Sequence, residues 1–305
     1  MRRVKKCRQW GLVAVFIGIS YLLTAQETSL LVVGIMQDGG RPQLGCLKPC
    51  CKDVKQRDFV SSIALIDATN QVYHLLDATP DIASQFQLIY QFLPTRYTLG
   101  SVFLTHAHIG HYTGLQFLGR ESMSASNVPV YVMPRMGRFL SENGPWSQLV
   151  HLHNIQLKQL APDQSIQLGS FQITPLLVPH RDEFSETVGF KIKGPVKSFL
   201  FIPDIDKWEK WDRLLANEIE KVDYAFIDGT FFSDGEVNRP MREIPHPFIS
   251  ETVSLLAALP RELRERVYFT HFNHTNPLLD TQHPARMSLE QAGYHFAATG
   301  TRLPM

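Results

Sequence analysis

A chain of 305 residues, 44% hydrophobic and 19% charged, has ordinary globular composition and enough length for a large core. Its formal net charge of +1 is unevenly placed: five of the 30 basic residues, Arg2, Arg3, Lys5, Lys6 and Arg8, precede any acidic one, and the remaining 25 face 29 acidic residues, a net of −4. The rest of the chain lacks the strong basic stripe that nucleic-acid binding needs, so nucleic acid is not an expected partner.

The chain opens on a basic leader, MRRVKKCRQW, followed by the 13-residue apolar run GLVAVFIGISYLL. That run fits the hydrophobic region of a signal peptide and is short for a membrane span. Residues 1–25 are therefore expected to be a signal peptide cleaved after Ala25, although Leu23 is not ideal three residues before the cut. The alternative is an uncleaved N-terminal anchor, which would be the chain's one link to a membrane. The body, 26–305, is expected to be one domain outside the cytoplasm, periplasmic or extracellular. Cys7 lies in the leader and is given no role.

Along the body, ten runs read as strands: SLLVVGIM, VSSIALIDA, QVYHLLDA, GSVFLTH, VPVYVM, FQITPLLVPH, TVGFKI, SFLFIPD, VDYAFIDG and RVYFTHF. They are short, rich in β-branched and aromatic residues, and bounded by Gly, Pro, Asn or Asp. Three runs read as helices: DIASQFQLIYQFL, KWEKWDRLLANEIEKV and PFISETVSLLAAL. In the second, Trp208, Trp211, Leu214, Leu215, Ile219 and Val222 recur near helical spacing. No internal repeat or low-complexity segment interrupts the pattern. HLHN, with His151 and His153, reads as alternation on an edge strand.

Several strands end in a potential ligand or acid: Asp77, His106, His180, Asp204, Asp228 and His271. In a layered α/β protein the loops leaving one sheet edge converge, and sites are built there. The densest signal is THAHIGH, where His106, His108 and His111 fall within six residues. Imidazole suits zinc, iron, nickel or copper, so residue type alone does not fix the metal.

THAHIGH resembles the HxHxDH motif of the metallo-β-lactamase superfamily. The likeness continues in the family's order with His180 in LLVPH, Asp204 in FLFIPD and His271 in VYFTH. It covers nearly the whole body from about residue 30 and implies a four-layer αββα sandwich with the site at one edge. Within the superfamily, MQDGGRPQLGC and HFNHTNP look closest to the pyrroloquinoline quinone biosynthesis protein B group. The phosphodiesterase of phosphonate degradation and the ribonuclease Z group share the same plan.

By this resemblance, His106, His108 and His180 form a first metal position that leaves room for catalysis. Asp204 bridges to a second position that keeps His111 and His271, and Asp77 supports the metal loop from behind. The motif departs from the family at Gly110, where an Asp would bind the second metal. One metal firmly held and a second weak or absent is therefore expected, unless Asp38 in the QDGG loop supplies the missing carboxylate. Asp228 and His246 resemble an acid–His pair in which the His protonates the leaving group; a loop or capping histidine is the plainer reading of His246.

Cys46, Cys50 and Cys51 lie within six residues. In an exported chain the default is a disulfide, which leaves one cysteine over. The alternative is a structural zinc, which needs a fourth ligand. The phosphodiesterase resemblance implies His274 for that place, although its cysteine spacing is not identical.

The leading functional expectation is metal-assisted hydrolysis of a small-molecule substrate, phosphodiesterase-like or directed at an ester or lactone, with zinc, or iron or manganese, at the catalytic site. The alternatives are a mononuclear iron oxygenase related to quinone-cofactor biosynthesis and a non-catalytic metal-binding protein. The sequence gives no indication of oligomeric state.

Overall fold

A computed structural model describes residues 27–237 and 240–305. The expected signal peptide and Cys7 lie outside the described residues. Among the described residues, no helix is long and apolar enough to cross a membrane.

Among the described residues, fourteen strands form two seven-stranded sheets. The first sheet contains β1 (Ser29–Gly34), β2 (Ser62–Asp67), β3 (Val72–Leu76), β4 (Thr98–Phe103), β5 (Val128–Val132), β6 (Ile155–Gln159) and β14 (Arg302–Pro304). Its order is β14-β1-β2-β3-β4-β5-β6. The second contains β7 (Ile166–Leu168), β8 (Phe171–Leu177), β9 (Val188–Lys193), β10 (Ser198–Ile202), β11 (Tyr224–Asp228), β12 (Val267–Thr270) and β13 (His295–Phe296). Its order is β13-β12-β11-β10-β9-β8-β7. Each sheet joins a parallel half, β3 to β6 or β10 to β13, to an antiparallel half.

Period-two alternation decides which layer each side chain enters. Leu30 and Val32 of β1 join Phe103, Phe171, Phe190, Phe199, Phe201 and Phe226 between the sheets. Leu31 and Val33 face the other way, into a core shared with Ile82, Phe86, Ile89, Met136 and Leu140 of the outer helices. On the second sheet, Leu200 and Ile202 pack outward with Trp208, Leu215, Ile219 and Ile249. The result is the expected αββα order. Each fully buried aliphatic or Phe side chain contributes roughly 1.5–3 kcal/mol before the entropy of ordering is charged against it.

All ten expected strand runs are strands. The helix Ile82–Phe92 forms as read, and PFISETVSLLAAL yields a shorter one, Ile249–Leu255. The run 207–222 does not form the single helix expected. It makes a 3-10 turn, Trp208–Lys210, extends at Trp211, and becomes helical only over Leu215–Glu220. The two indoles are tied in different directions: Trp208 Nε1 donates to Thr252 Oγ1 at 2.8 Å and Trp211 Nε1 to the Leu177 carbonyl at 2.7 Å. These tertiary bonds override a weak local preference. HLHN is not on an edge strand either: His151 closes the helix Trp146–His151, and His153 occupies a left-handed turn before β6.

Candidate metal centre

The parallel strands and their neighbours deliver the chemistry to one edge. Asp77 follows β3, His106 and His108 follow β4, His180 follows β8, Asp204 follows β10, Asp228 ends β11 and His271 follows β12. In-register pairing sets Ile202 beside Ile227 and Asp228 beside Thr270, so the residues just beyond emerge together. Asp77 and His271 both hold left-handed backbone, φ 68° and 62°. For a residue with a Cβ this costs of order 1–3 kcal/mol, a strain tolerated where the surroundings fix the position.

Four lone-pair atoms converge. His106 Nε2 lies 2.8 Å from His108 Nδ1, and His180 Nε2 lies 3.2 Å from the same atom. Asp204 Oδ2 lies 3.3 Å from both His106 Nε2 and His180 Nε2, and 4.0 Å from His108 Nδ1. Donors bonded at 2.0–2.1 Å around a tetrahedral zinc stand roughly 3.3 Å apart, so the donor set fits such an ion.

The surrounding hydrogen bonds say which nitrogens are bare. Thr105 Oγ1 donates to Asp77 and accepts from His106 Nδ1 at 3.0 Å, which leaves His106 Nε2 without a proton. His108 Nε2 donates to Glu183 Oε2 at 3.0 Å, which leaves Nδ1 bare. Two unprotonated nitrogens 2.8 Å apart repel each other unless a cation lies between them. Burial, reinforced by the neighbouring His111, also holds His106 well below the ordinary imidazole range. Burial opposes ionisation of Asp204, but the imidazoles of His180 and His246 prevail and keep the carboxyl well below the carboxylate range.

A second set adjoins the first. His111 Nδ1 donates to Asp77 Oδ2 at 2.7 Å, and Asp77 also accepts from the Thr105 backbone. His271 Nδ1 donates to Thr230 Oγ1 at 2.9 Å, and Thr230 donates to Asp228 Oδ1 at 2.7 Å. Both imidazoles therefore present Nε2, and both Nε2 atoms are buried with no hydrogen-bond partner. Asp204 Oδ2 stands 4.0 Å from each. Asp38, His111 and His271 offer ligand atoms that all lie within 4.8 Å of one another.

His246 sits beside these sets. Its Nδ1 donates to Asp228 Oδ2 at 2.8 Å and lies 3.2 Å from Asp204 Oδ1, which receives no hydrogen bond. Burial alone would lower its pKa, but the carboxylates of Asp204 and Asp228 outweigh burial and raise it to about 9. Its Nε2 is 3.4 Å from the Gln37 side-chain amide, which in turn accepts from Asn273 at 2.6 Å.

The three described cysteines, Cys46, Cys50 and Cys51, are free thiols and gather with His274, all four ligand atoms within 4.8 Å of one another. Burial pushes the Cys51 thiol up to about 11, and His274 Nδ1 is buried without a partner. Crowded neutral thiols beside a bare imidazole nitrogen suit a tetrahedral cation that would turn them into thiolates.

Every candidate residue read from the sequence is therefore brought to one of these clusters, and no disulfide joins the described cysteines. Reading the sequence missed Thr105, Glu183 and Thr230. Thr230 carries a signal in hindsight, since DGT forms a turn in which Asp228 accepts from the Thr230 backbone. Glu183 carries none.

A model of the β-lactamase superfamily domain matches residues 73–272. The chain belongs to the metallo-β-lactamase superfamily. It is thus one of a family of metal-dependent hydrolases. Coenzyme PQQ synthesis protein B of Nitrosococcus oceani is 28% identical over 311 residues, spanning 88% of this chain and 97% of that protein. The same-named protein of Xanthomonas campestris is 26% identical over 306 residues, spanning 90% and 99%. Among solved structures, Zn2+-bound PqqB of Methylobacterium extorquens matches with TM-score 0.76 at 22% identity, over 91% of this chain and 100% of that one. A diphosphatase of the PhnP family matches with TM-score 0.66 at 21% identity, over 92% and 98%. These structural likenesses show the shared fold.

Proposed function

We propose that this chain is an exported metal-dependent hydrolase that cleaves a phosphodiester or related ester bond in a small molecule. The observation that carries the reading is the convergence of the unprotonated His106 Nε2 and His108 Nδ1 with His180 Nε2 and the Asp204 carboxylate. His106, His108, His180 and Asp204 would hold the first metal, and His111 and His271 face an adjoining position. Zinc suits the donors, and iron or manganese would also be accepted. A metal bound there supplies Lewis acidity and lowers the pKa of water to about 7.

The chain's own residues supply the rest. Asp204 fixes the reacting edge between the two histidine sets. Asp228 holds His246 Nδ1, so Nε2 is the atom that delivers a proton to the leaving oxygen. The His246 position favours a phosphoryl or ester leaving group over a purely binding role. The Cys46, Cys50, Cys51 and His274 cluster is read as a structural zinc site. Free-thiol titration before and after chelation tests that part, since thiols already fully reactive before chelation would contradict it.

The test of the main reading is turnover of model phosphodiesters, esters and lactones by zinc- or manganese-loaded protein, with metal counted on the same sample. Phosphodiester turnover lost in His106→Ala is the expected result. Turnover that survives with the metal content unchanged would count against the assignment. The likeness to coenzyme PQQ synthesis protein B favours a second reading, a role in making that cofactor with iron at the three-histidine position. Oxygen-dependent spectral changes in anaerobically iron-loaded protein, without hydrolysis of any ester, would favour it. Cell fractionation with an antibody against the body tests export.

A further inference from the structure

Position 110 departs from the family's motif, and the space around it shows what takes its place. A Cβ built on Gly110 would lie 2.2 Å from Asp38 Oδ1, 2.7 Å from Asp38 Cα and 3.1 Å from Asp38 Cγ. No side chain can occupy position 110 while Asp38 stays where it is. Gly110 is not among the residues with positive φ, so the backbone does not itself demand glycine there. The demand is for space, and an acid reaching in from elsewhere in the chain fills that space.

Asp38 is held there from several sides. The Gly110 backbone N–H donates to its Oδ1 at 3.2 Å. Its neighbour Gln37 donates its backbone N–H to the Phe272 carbonyl at 2.9 Å and accepts from Asn273 through its side chain. The turn that carries Asp38 is thereby tied to the loop that carries His271. Asp38 Oδ1 stands 3.6 Å from His111 Nε2, and its ligand atom lies within 4.8 Å of those of both histidines. The two imidazole nitrogens that would share a cation with it are buried and otherwise unpartnered.

We infer that Asp38 supplies the carboxylate of the second metal position, together with His111, His271 and the shared Asp204, and that Gly110 is the vacancy that admits it. The carboxylate has moved 72 positions along the chain, and the donor set remains complete. This deepens the metal-centre reading and rests on it.

The experiment strips the full-length chain with a chelator, reloads it with zinc or manganese, and measures bound equivalents and their affinities by titration and mass spectrometry. Wild type should take up two equivalents at the histidine centre in addition to those held by the cysteines. Asp38→Asn keeps an acceptor for the Gly110 N–H but removes the anionic ligand. It should weaken the second equivalent beyond the ~10–100-fold that loss of a merely supporting partner costs, and leave the first in place. The reciprocal variant, Asp38→Gly with Gly110→Asp, should recover the equivalent that Asp38→Gly alone loses.

Unchanged binding of both equivalents in Asp38→Asn would overturn the inference. So would a wild-type chain that takes up a single equivalent, or a reciprocal variant that melts like wild type yet recovers nothing. Failure of the underlying reading shows elsewhere: His106→Ala would then keep its full metal content.

Discussion

The histidine centre and the cysteine cluster meet on one loop, through His271 and His274, yet they are built in opposite ways. His106, His180, His271 and Asp204 are held just beyond strand ends, and His111 in the short helix Ile109–Tyr112 that follows the β4 loop. Thr105 with Asp77 on one side, and Thr230 with Asp228 on the other, fix the imidazoles by the same device: an acid accepts from a threonine hydroxyl, which accepts from a ring nitrogen. The cysteines sit in a loop between β1 and β2 with short helical content, where Leu44 is 98% exposed. A site on strand ends keeps its geometry from the fold. A site on such a loop keeps its geometry from whatever its own side chains bind together.

The contrast predicts different failures. The largest effect should come from His180→Ala, which removes a proposed direct ligand while the sheets stay packed. Losing the Lewis acid's several kcal/mol should cost turnover about 1,000-fold with little change in melting temperature, measured by initial rates and thermal unfolding. Removing a brace rather than a ligand should cost less: Asp77→Asn and Thr230→Val should each weaken metal binding by ~10–100-fold, read by competition with a chromogenic chelator. Glu183→Gln should fall at the lower end of that range, about tenfold, because its side chain is half exposed.

The cysteine side should behave in reverse. Cys51→Ser should leave turnover closest to wild type but make the stretch 43–55 of the 37–58 loop a preferred site of proteolysis, since its backbone hydrogen bonds are made within the stretch itself. Because that loop also carries Asp38, the same variant should loosen the second metal more than the first. Equal loosening of both would erase the contrast.

The legible parts of the fold follow from burial. Interior strands are covered on both faces, so β1, β2, β10 and β11 read as near-continuous apolar runs. The four strands missed, β6, β7, β13 and β14, are the four sheet edges. Their patterns are weak because they are short or largely uncovered; β6 buries only Ile155. The ligand residues were legible because histidines and acids at strand ends are chemically conspicuous. Glu183 and Thr105 were not, because their roles depend on loop geometry rather than residue type. At Gly110 the sequence leaves two readings open, a deficient second position or one completed by Asp38, because the acid lies 72 positions away and only the fold brings its carboxylate against Gly110.

The most direct test of the central claim is anomalous scattering at the zinc and iron edges from crystals of metal-replete protein. The account predicts a peak within bonding distance of His106, His108, His180 and Asp204, a second beside Asp38, His111 and His271, and a third among Cys46, Cys50, Cys51 and His274. An empty histidine centre in such crystals, with the cysteine site occupied, would contradict it.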